Sequence, residues 1–381
     1  MKVVVLGLSI TSSWGNGHAT TYRGLLRELA LRGHEVQFLE RDVPWYADNR
    51  DVRELPGIDL QLYANLDELK RHHSDDVRDA DAVIVGSYVQ EGIAVGRWVQ
   101  QTATGVTAFY DIDTPVTLAS LRRGGADYIS GELIPHYRLY LSFTGGPTLA
   151  ELEHTWGSPA ARPLYCAVDP RDYFPEEQPP TWDLGYIGTY SRDRQPSLET
   201  LLLRPARQLP SRRFIVAGPQ YPANTAWPAN VERIEHLPPS GHRRFYNQQR
   251  FTLNITRADM IAAGWSPRVR LFEAAACGTP IVSDCWPGLE EFFVPGREIL
   301  LATSSDDVRR LIEEVPASDA AAIGDAARRR VLAHHTAAHR AMELELHLME
   351  ATREVRSPMR TGSTVFPSNE RRRAASSLFA Q

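Results

Sequence analysis

Residues 264–283 read GWSPRVRLFEAAACGTPIVS. A Gly-Trp-Ser-Pro turn leads into a helical run whose apolar face, Leu271, Phe272 and the alanines that follow, carries one acid, Glu273. Cys277-Gly278 ends that run, and Thr279-Pro280 turns it into a buried strand, Ile281-Val282-Ser283. Glycine just past a helix and proline beyond it are stop signals. A carboxylate among such apolar neighbours needs a partner, because burying it alone is costly. Near the start of a helix at the carboxyl edge of a parallel sheet, Glu273 is placed to accept from both hydroxyls of a ribose. The loop amides and the helix dipole then face a diphosphate.

The same alternation extends in both directions. In the first half the strand candidates are Val3–Leu8, Val36–Leu39, Ala82–Ser87, Val106–Tyr110, Tyr128–Ser130 and Tyr137–Phe143, with an amphipathic helix at Thr20–Arg32. Nearly continuous apolar strands separated by helices indicate a parallel sheet covered on both faces. Val168–Pro180, VDPRDYFPEEQPP, is too rich in proline for either regular element and reads as a linker. A second series follows. Its strands are Leu184–Ile187, Phe214–Ala217, Val231–Ile234, Leu253–Ile255, Ile281–Ser283 and Glu298–Ala302; its helices are Ser197–Leu203, Phe245–Gln249 and Asp306–Glu314. The expected fold is α/β, with two Rossmann-like doubly wound domains and a deep cleft between them. The expected boundaries are residues 1–168, a hinge at 169–180, a second domain at 181–335, a C-terminal helix at 336–356, and a disordered tail at 357–381.

Composition narrows the function classes. A chain of 381 residues is long enough for two cores. A net charge of −5 gives no sign of a nucleic-acid partner. Cys166, Cys277 and Cys285 form neither a CxxC pair nor a disulfide framework, which fits a reducing cytoplasm. The opening MKVVVLGLSI is short and runs into a loop, so it reads as a first buried strand and not as a signal peptide. No apolar run is long enough to span a bilayer, leaving peripheral contact as the only mode of membrane attachment.

Several further segments could carry chemistry. Ser12–His18, SSWGNGH, joins the first strand to the first helix, and Gly15 and Gly17 let the backbone approach a ligand. His18 is either a base or orienting group for a hydroxyl, or a helix-start histidine with a local hydrogen bond. In Phe109–Thr117, FYDIDTPVT, Asp111 and Asp113 sit at a strand's carboxyl end. Asp113 either contacts a sugar or acceptor or forms an Asx turn before Pro115. The Asp-x-Asp spacing also matches a divalent-metal motif, but such a pair is common by chance and no metal is expected. Gly185–Arg194, GYIGTYSRDR, brings Gly188 and Arg194 to the end of another strand, and Arg257 follows a third. Arginine can absorb diphosphate charge through its bidentate fork. Gly218 and His236 are further strand-end residues. His334, His335 and His339 have a helical spacing compatible with a metal, but no acid completes the set.

The stretch 264–298 resembles the C-terminal domain of GT-B glycosyltransferases, especially the retaining group with an E-x7-E motif and its spore-maturation-type branch. The resemblance implies two doubly wound domains with the donor bound between them and a last helix crossing back onto the first domain. It makes Glu273 the second glutamate of the motif, while Trp265 stands where the first would be and would touch the donor sugar. Ser266, Pro267 and Arg268 replace a glycine-rich loop that presents amides to the donor. Thr189 replaces an arginine that grips the diphosphate, and Arg194 falls near a lysine with the same task. His236 would lie by the nucleobase. The loop with Gly15, Gly17 and His18 lies under the donor phosphates, and Asp113 falls where the retaining families keep a histidine near the sugar, with Asp111 beside it. The implied activity is metal-independent sugar transfer from a nucleoside-diphosphate donor, with His18 and Asp113 as catalytic residues, no cofactor, and a small-molecule, glycan or lipid-linked acceptor. Two alternatives share the nucleotide site: a non-hydrolysing sugar-nucleotide epimerase and a catalytically degenerate nucleotide-binding scaffold. A nicotinamide-dependent dehydrogenase is the weaker rival. Glu40 would be its ribose acid, but Thr20 stands where the third glycine of GxGxxG belongs.

Overall fold

The computed structural model describes residues 1–356, so the tail read above as disordered lies outside the described residues. The first sheet comprises β1 (Lys2–Gly7), β2 (Glu35–Arg41), β3 (Ile58–Tyr63), β4 (Ala82–Gly86), β5 (Val106–Asp111), β6 (Leu139–Ser142) and β7 (Ala161–Pro163). Its seven strands are ordered β3-β2-β1-β4-β5-β6-β7, all parallel. The second sheet holds β8 (Trp182–Ile187), β9 (Phe214–Ala217), β10 (Val231–Ile234), β11 (Gln249–Asn254), β12 (Ile281–Ser283) and β13 (Leu300–Leu301). Its order is β10-β9-β8-β11-β12-β13, again all parallel. Val3 to Leu6 are all buried, which explains why these strands read as apolar runs: helices cover both faces. In each sheet the winding direction reverses beside the first strand, between β1 and β4 and between β8 and β11. Ligand sites of open α/β sheets form at such switch points.

Three segments differ from the sequence expectation. Tyr128–Ser130 is not a strand; it makes only an isolated bridge, Ala126 to Ile129, and its Tyr128 ring packs on Tyr88 at 4.7 Å. The edge strand β3, IDLQLY, is half exposed, so its alternation carries weaker contrast than the buried strands. The expected helix over Phe245–Gln249 runs from Pro239 to Asn247, and Gln249 already begins β11.

The chain passes between the sheets twice, and the two passages touch. Val168 and Thr336 form a parallel bridge, with Val168 N–H donating to His335 O at 3.3 Å and Ala337 N–H donating to Val168 O at 2.8 Å. The proline-rich run is tied to both sides. Arg27 pairs with Asp169 at 2.6 Å and Arg243 with Glu176 at 2.6 Å. After the second passage, the helix Ala337–Arg356 lies along the helix Ala19–Leu31. Ala341, Leu344 and Leu348 are buried there, and a Cβ added at Gly24 would come within 3.1 Å of the Ala337 Cβ.

Candidate active site

The carboxyl edges of the two sheets face each other across a cleft of about 380 Å³. Gly15, Gly17, His18 and Asp113 line it from the first sheet's side. Gly188, Arg194, Gly218, His236, Arg257, Ser266, Pro267, Arg268 and Glu273 line it from the second. Segments as far apart in sequence as Gly15 and Glu273 thus meet because each follows a parallel strand.

On the second sheet's side, the helix Val269–Ala276 carries Glu273 one turn from its start, and only 3% of this residue is exposed. The Tyr246 hydroxyl donates to Glu273 Oε2 at 2.9 Å, and His242 Nδ1 stands 3.9 Å from the same oxygen. The carboxylate is therefore held in one orientation at the cleft wall. Four arginines gather beside it. Arg194 donates from Nη2 to Thr189 O at 2.6 Å, which ties its guanidinium to the loop after β8. Arg257 lies 3.5 Å from Asp193, and its Nε has no hydrogen-bond partner. Arg270 donates from Nε to Ile187 O at 2.9 Å and from Nη1 to Asn254 Oδ1 at 3.3 Å. Its Nη2 lies so close under Gly188 that an added Cβ there would sit 2.9 Å away. Arg268 reaches Asp113 Oδ1 through Nη1 at 3.3 Å, while its Nε and Nη2 are buried without partners. Burial pulls the Arg268 guanidinium down to about 10; Asp113 opposes this, and Arg194, Arg270 and Arg257 reinforce it. Buried unpaired guanidinium nitrogens among like charges are the signature of a place built for an anion. Gly218 has φ +144°, and a Cβ there would lie 2.1 Å from Gly188 O, so the ends of β8 and β9 close together only with glycine.

On the first sheet's side, His18 caps the helix Ala19–Leu31, and its N–H donates to Asn16 Oδ1 at 3.2 Å. The ring lies edge-on to Phe143 at 5.5 Å. Nε2 is 4.0 Å from Asp113 Oδ2, and Nδ1 is buried without a partner. Burial lowers the His18 pKa; Asp113 raises it less, and Arg268 lowers it further. The imidazole is thus neutral near pH 7, the form that accepts a proton. Asp113 begins the helix Thr114–Arg122 and accepts from the Tyr88 hydroxyl at 3.0 Å. Beneath the loop, Glu40 is fully buried. Ser9 Oγ and Thr11 Oγ1 donate to it at 2.8 and 2.6 Å, and the N–H groups of Ile10 and Thr11 at 2.7 and 3.0 Å. Gly15 and Gly17 face open space.

Two of the residues expected at the site lie elsewhere. Asp111 is fully buried below the cleft, accepting from Tyr140 at 2.6 Å and Thr117 at 2.9 Å, and burial raises its pKa to about 6. With Asp111 engaged there and Asp113 on Arg268, the Asp-x-Asp spacing offers no pair of free carboxylates to a metal. Trp265, at φ +44°, turns its ring away into a slot between Gly146 and Gly288, and its Nε1 donates to Glu291 at 2.6 Å. Its backbone also meets the first sheet's side, the carbonyl accepting from Gly145 N–H at 2.9 Å. Glu40 is saturated by the loop above it, which removes the dehydrogenase reading. His335 is buried between Phe272 and Arg340. Among the described residues, no three or more His, Cys, Asp or Glu side chains are grouped to hold a metal. Sequence reasoning missed Arg270, Tyr246 and Tyr88. Arg270 stands two residues after Arg268, where helical geometry sends it under the Gly188 loop. Tyr88 adopts φ +66°, which no local pattern announces.

Residues 194–345 match a family model described as glycosyl transferase-like. No curated protein matches the chain in sequence. Solved structures with the same fold include a sucrose-phosphate synthase from Thermosynechococcus elongatus, with a TM-score of 0.68 at 14% identity over 92% of this chain and 98% of that one. The HepE protein of Anabaena in complex with UDP and glucose gives 0.65 at 12% identity, over 92% of this chain and 100% of that one. AviGT4, a glycosyltransferase involved in avilamycin A biosynthesis, gives 0.60 at 16% identity, over 93% and 98%. No helix among the described residues is long and apolar enough to cross a membrane. With two all-parallel sheets facing one cleft, the chain has the GT-B fold of these structures, and the segment that supplies most of the second wall is similar to the glycosyl transferase-like family.

Proposed function

We propose that the enzyme transfers a sugar from a nucleoside-diphosphate donor, of the UDP-sugar class, to an acceptor hydroxyl without a metal ion. The observation that carries this reading is the wall formed by Arg194, Arg257, Arg268 and Arg270 next to Glu273. Departure of a nucleoside diphosphate needs preorganised positive charge, and four guanidinium groups supply it where a metal otherwise would. Glu273, steadied by Tyr246, accepts from the ribose hydroxyls, and the segment at Gly218 and His236 borders the base. The UDP-bound HepE structure, which shares this fold, favours a uridine nucleotide.

In this reading residues 1–168 supply the acceptor side, 181–335 the donor side, and 169–180 the hinge. His18 and Asp113 face the acceptor. The motif around Glu273 supports the retaining group and its spore-maturation-type branch, with Ser266 and Pro267 holding the donor and the Trp265 backbone joining the two walls. An epimerase would need several carboxylates around the sugar. Asp111 is withdrawn from the cleft, leaving Asp113 and Glu273, so transfer is the better reading. The test is thermal denaturation with UDP, dTDP, GDP, ADP and CMP, each with Mg²⁺ and with EDTA. A ligand that binds only the folded state raises the midpoint, by about 2.7 kcal/mol of stability at one hundred times its Kd. One diphosphate is expected to shift the midpoint equally under both conditions. A shift seen only with Mg²⁺ overturns the metal-independent reading, and no shift with any of the five overturns the nucleotide site.

A further inference from the structure

The loop Trp265–Arg268 is where the donor wall meets the acceptor wall. Besides the Trp265 carbonyl, Ser266 Oγ lies 2.9 Å from Thr144 Oγ1, and Arg268 Nη1 lies 3.3 Å from Asp113 Oδ1. The ion pair differs from the other two contacts, because each partner has other work available. Arg268, with its side chain 15% exposed, has two guanidinium nitrogens unpaired and three further arginines close enough to repel it. Asp113 has an independent anchor, the Tyr88 hydroxyl on Oδ2 at 3.0 Å. Tyr88 itself sits at φ +66°, a backbone conformation costly for a bulky residue, and such strain persists only where the surroundings enforce it. His18 Nε2 stands 4.0 Å from the same Oδ2, too far for a hydrogen bond but close enough to share a hydroxyl with it.

We propose that Asp113 and Arg268 form a charge latch between the two walls, which the donor diphosphate opens by drawing Arg268 away. Tyr88 is the positioning residue that keeps Asp113 in place once the pair is broken. In the empty cleft, Asp113 occupies one nitrogen of Arg268 and blunts the arginine wall, while Arg268 occupies the carboxylate oxygen nearest the donor. A diphosphate offers Arg268 more negative charge and partners for its idle Nε and Nη2. Its transfer leaves Asp113, still held by Tyr88, with an oxygen free to accept from the acceptor hydroxyl near His18. The latch thereby orders the substrates, donor before acceptor, and couples the two halves of the site through a single guanidinium. This inference rests on the reading of the cleft as a donor–acceptor site, and its test separates the two.

The experiment is a double-mutant cycle on anion binding, read by calorimetry with inorganic pyrophosphate and, in parallel, with UDP. The chains are wild type, Asp113→Asn, Arg268→Gln and the double variant. If Asp113 competes with the anion for Arg268, Asp113→Asn tightens pyrophosphate binding about tenfold in the wild-type background, within the usual range for coupled neighbours. The gain is then expected to vanish when Arg268 is already glutamine. Equal tightening in both backgrounds means that Asp113 merely adds general negative charge, and the latch is overturned. Unchanged affinity in Asp113→Asn overturns it as well. Should the double variant not fold, Arg268→Lys takes the place of Arg268→Gln, and the gain is expected to shrink there by at least half. Coupling seen with pyrophosphate while UDP does not bind keeps the latch and rejects the nucleotide reading. If neither anion binds the wild type, the arginine wall is no anion site and the latch falls with it.

Discussion

At Glu273 the local chemistry makes charge the sensitive variable. The side chain is nearly sealed, and Tyr246 fills one of its acceptor positions, so a neutral isostere keeps the packing and loses the charged acceptor. Glu273→Gln is expected to weaken binding of the cognate nucleoside diphosphate by about 1.5–3 kcal/mol, the range for hydrogen bonds to charged groups. Calorimetric titration checks this, and an unchanged Kd would remove the ribose assignment. The place of Glu273 at the cleft wall was legible in the sequence because an acid amid Leu271, Phe272 and three alanines needs a partner. Arg270 and Tyr88 were not. Arg270 looked like one more basic residue on a helix, since its value comes from the carbonyls of Ile187 and Ile255 brought from two other strands. Trp265 was misleading for a related reason. Its position at the first glutamate of the motif suggested a sugar contact, whereas positive φ and two glycines steer its ring into the protein.

Among the elements, the loop between β1 and the helix Ala19–Leu31 depends on a carboxylate that never reaches the cleft. Glu40, next to last in β2, satisfies two backbone N–H groups and two hydroxyls of Ser9–Thr11, and Asp51 grips the next turn through Ser13 and Arg23. Glu40→Gln replaces one acceptor oxygen by a donor facing other donors. It is expected to cost about 1–3 kcal/mol, the penalty for leaving buried groups unsatisfied, and to slow turnover by loosening His18. Urea denaturation measures the first effect, and a midpoint equal to wild type would show that the loop holds without it. The alternation of strands and helices was readable because parallel strands buried on both faces have little freedom of composition. β3 escaped because an edge strand needs polar residues on its open side. Tyr128–Ser130 misled because its one tyrosine serves ring packing, on Tyr88, as readily as strand pairing.

For the whole molecule, the touching passages between the sheets place a titratable group at their junction. His335 is stacked on Phe272 at 4.8 Å and accepts through Nδ1 from Arg340 Nη2 at 2.7 Å. Burial first, and then Arg340, lower its pKa to about 3. Below the ordinary value of 6.5 the unfolded chain takes up a proton here that the folded chain refuses, so stability falls as pH drops from 6.5 towards 3. Between pH 7.5 and 5.5 this one group removes about 1.4 kcal/mol. His335→Gln keeps an acceptor for Arg340 and cannot titrate, so its urea midpoint is expected to fall less than that of wild type over this interval. Equal losses would place the acid sensitivity elsewhere. The two-domain plan was visible from the strand and helix series on either side of the proline-rich run, but this junction was not. It depends on residues 168 and 336 becoming neighbours, which no local pattern encodes.

The helix Ala337–Arg356 also sets a clock. It shares one apolar core with Tyr22, Leu25 and Leu26, and Arg32 pairs with its Glu345. Those partners, in Ala19–Leu31, are made long before their cover, Ala337–Arg356. At about 5–20 residues per second, Ala19–Leu31 waits on the order of 15–60 s for Ala337–Arg356. During that interval the second sheet, whose strands lie together between residues 182 and 301, can emerge and close. The helix Ala19–Leu31 is therefore covered only after the second sheet has been made, and in the interval it offers a chaperone the groove that Ala337–Arg356 will fill.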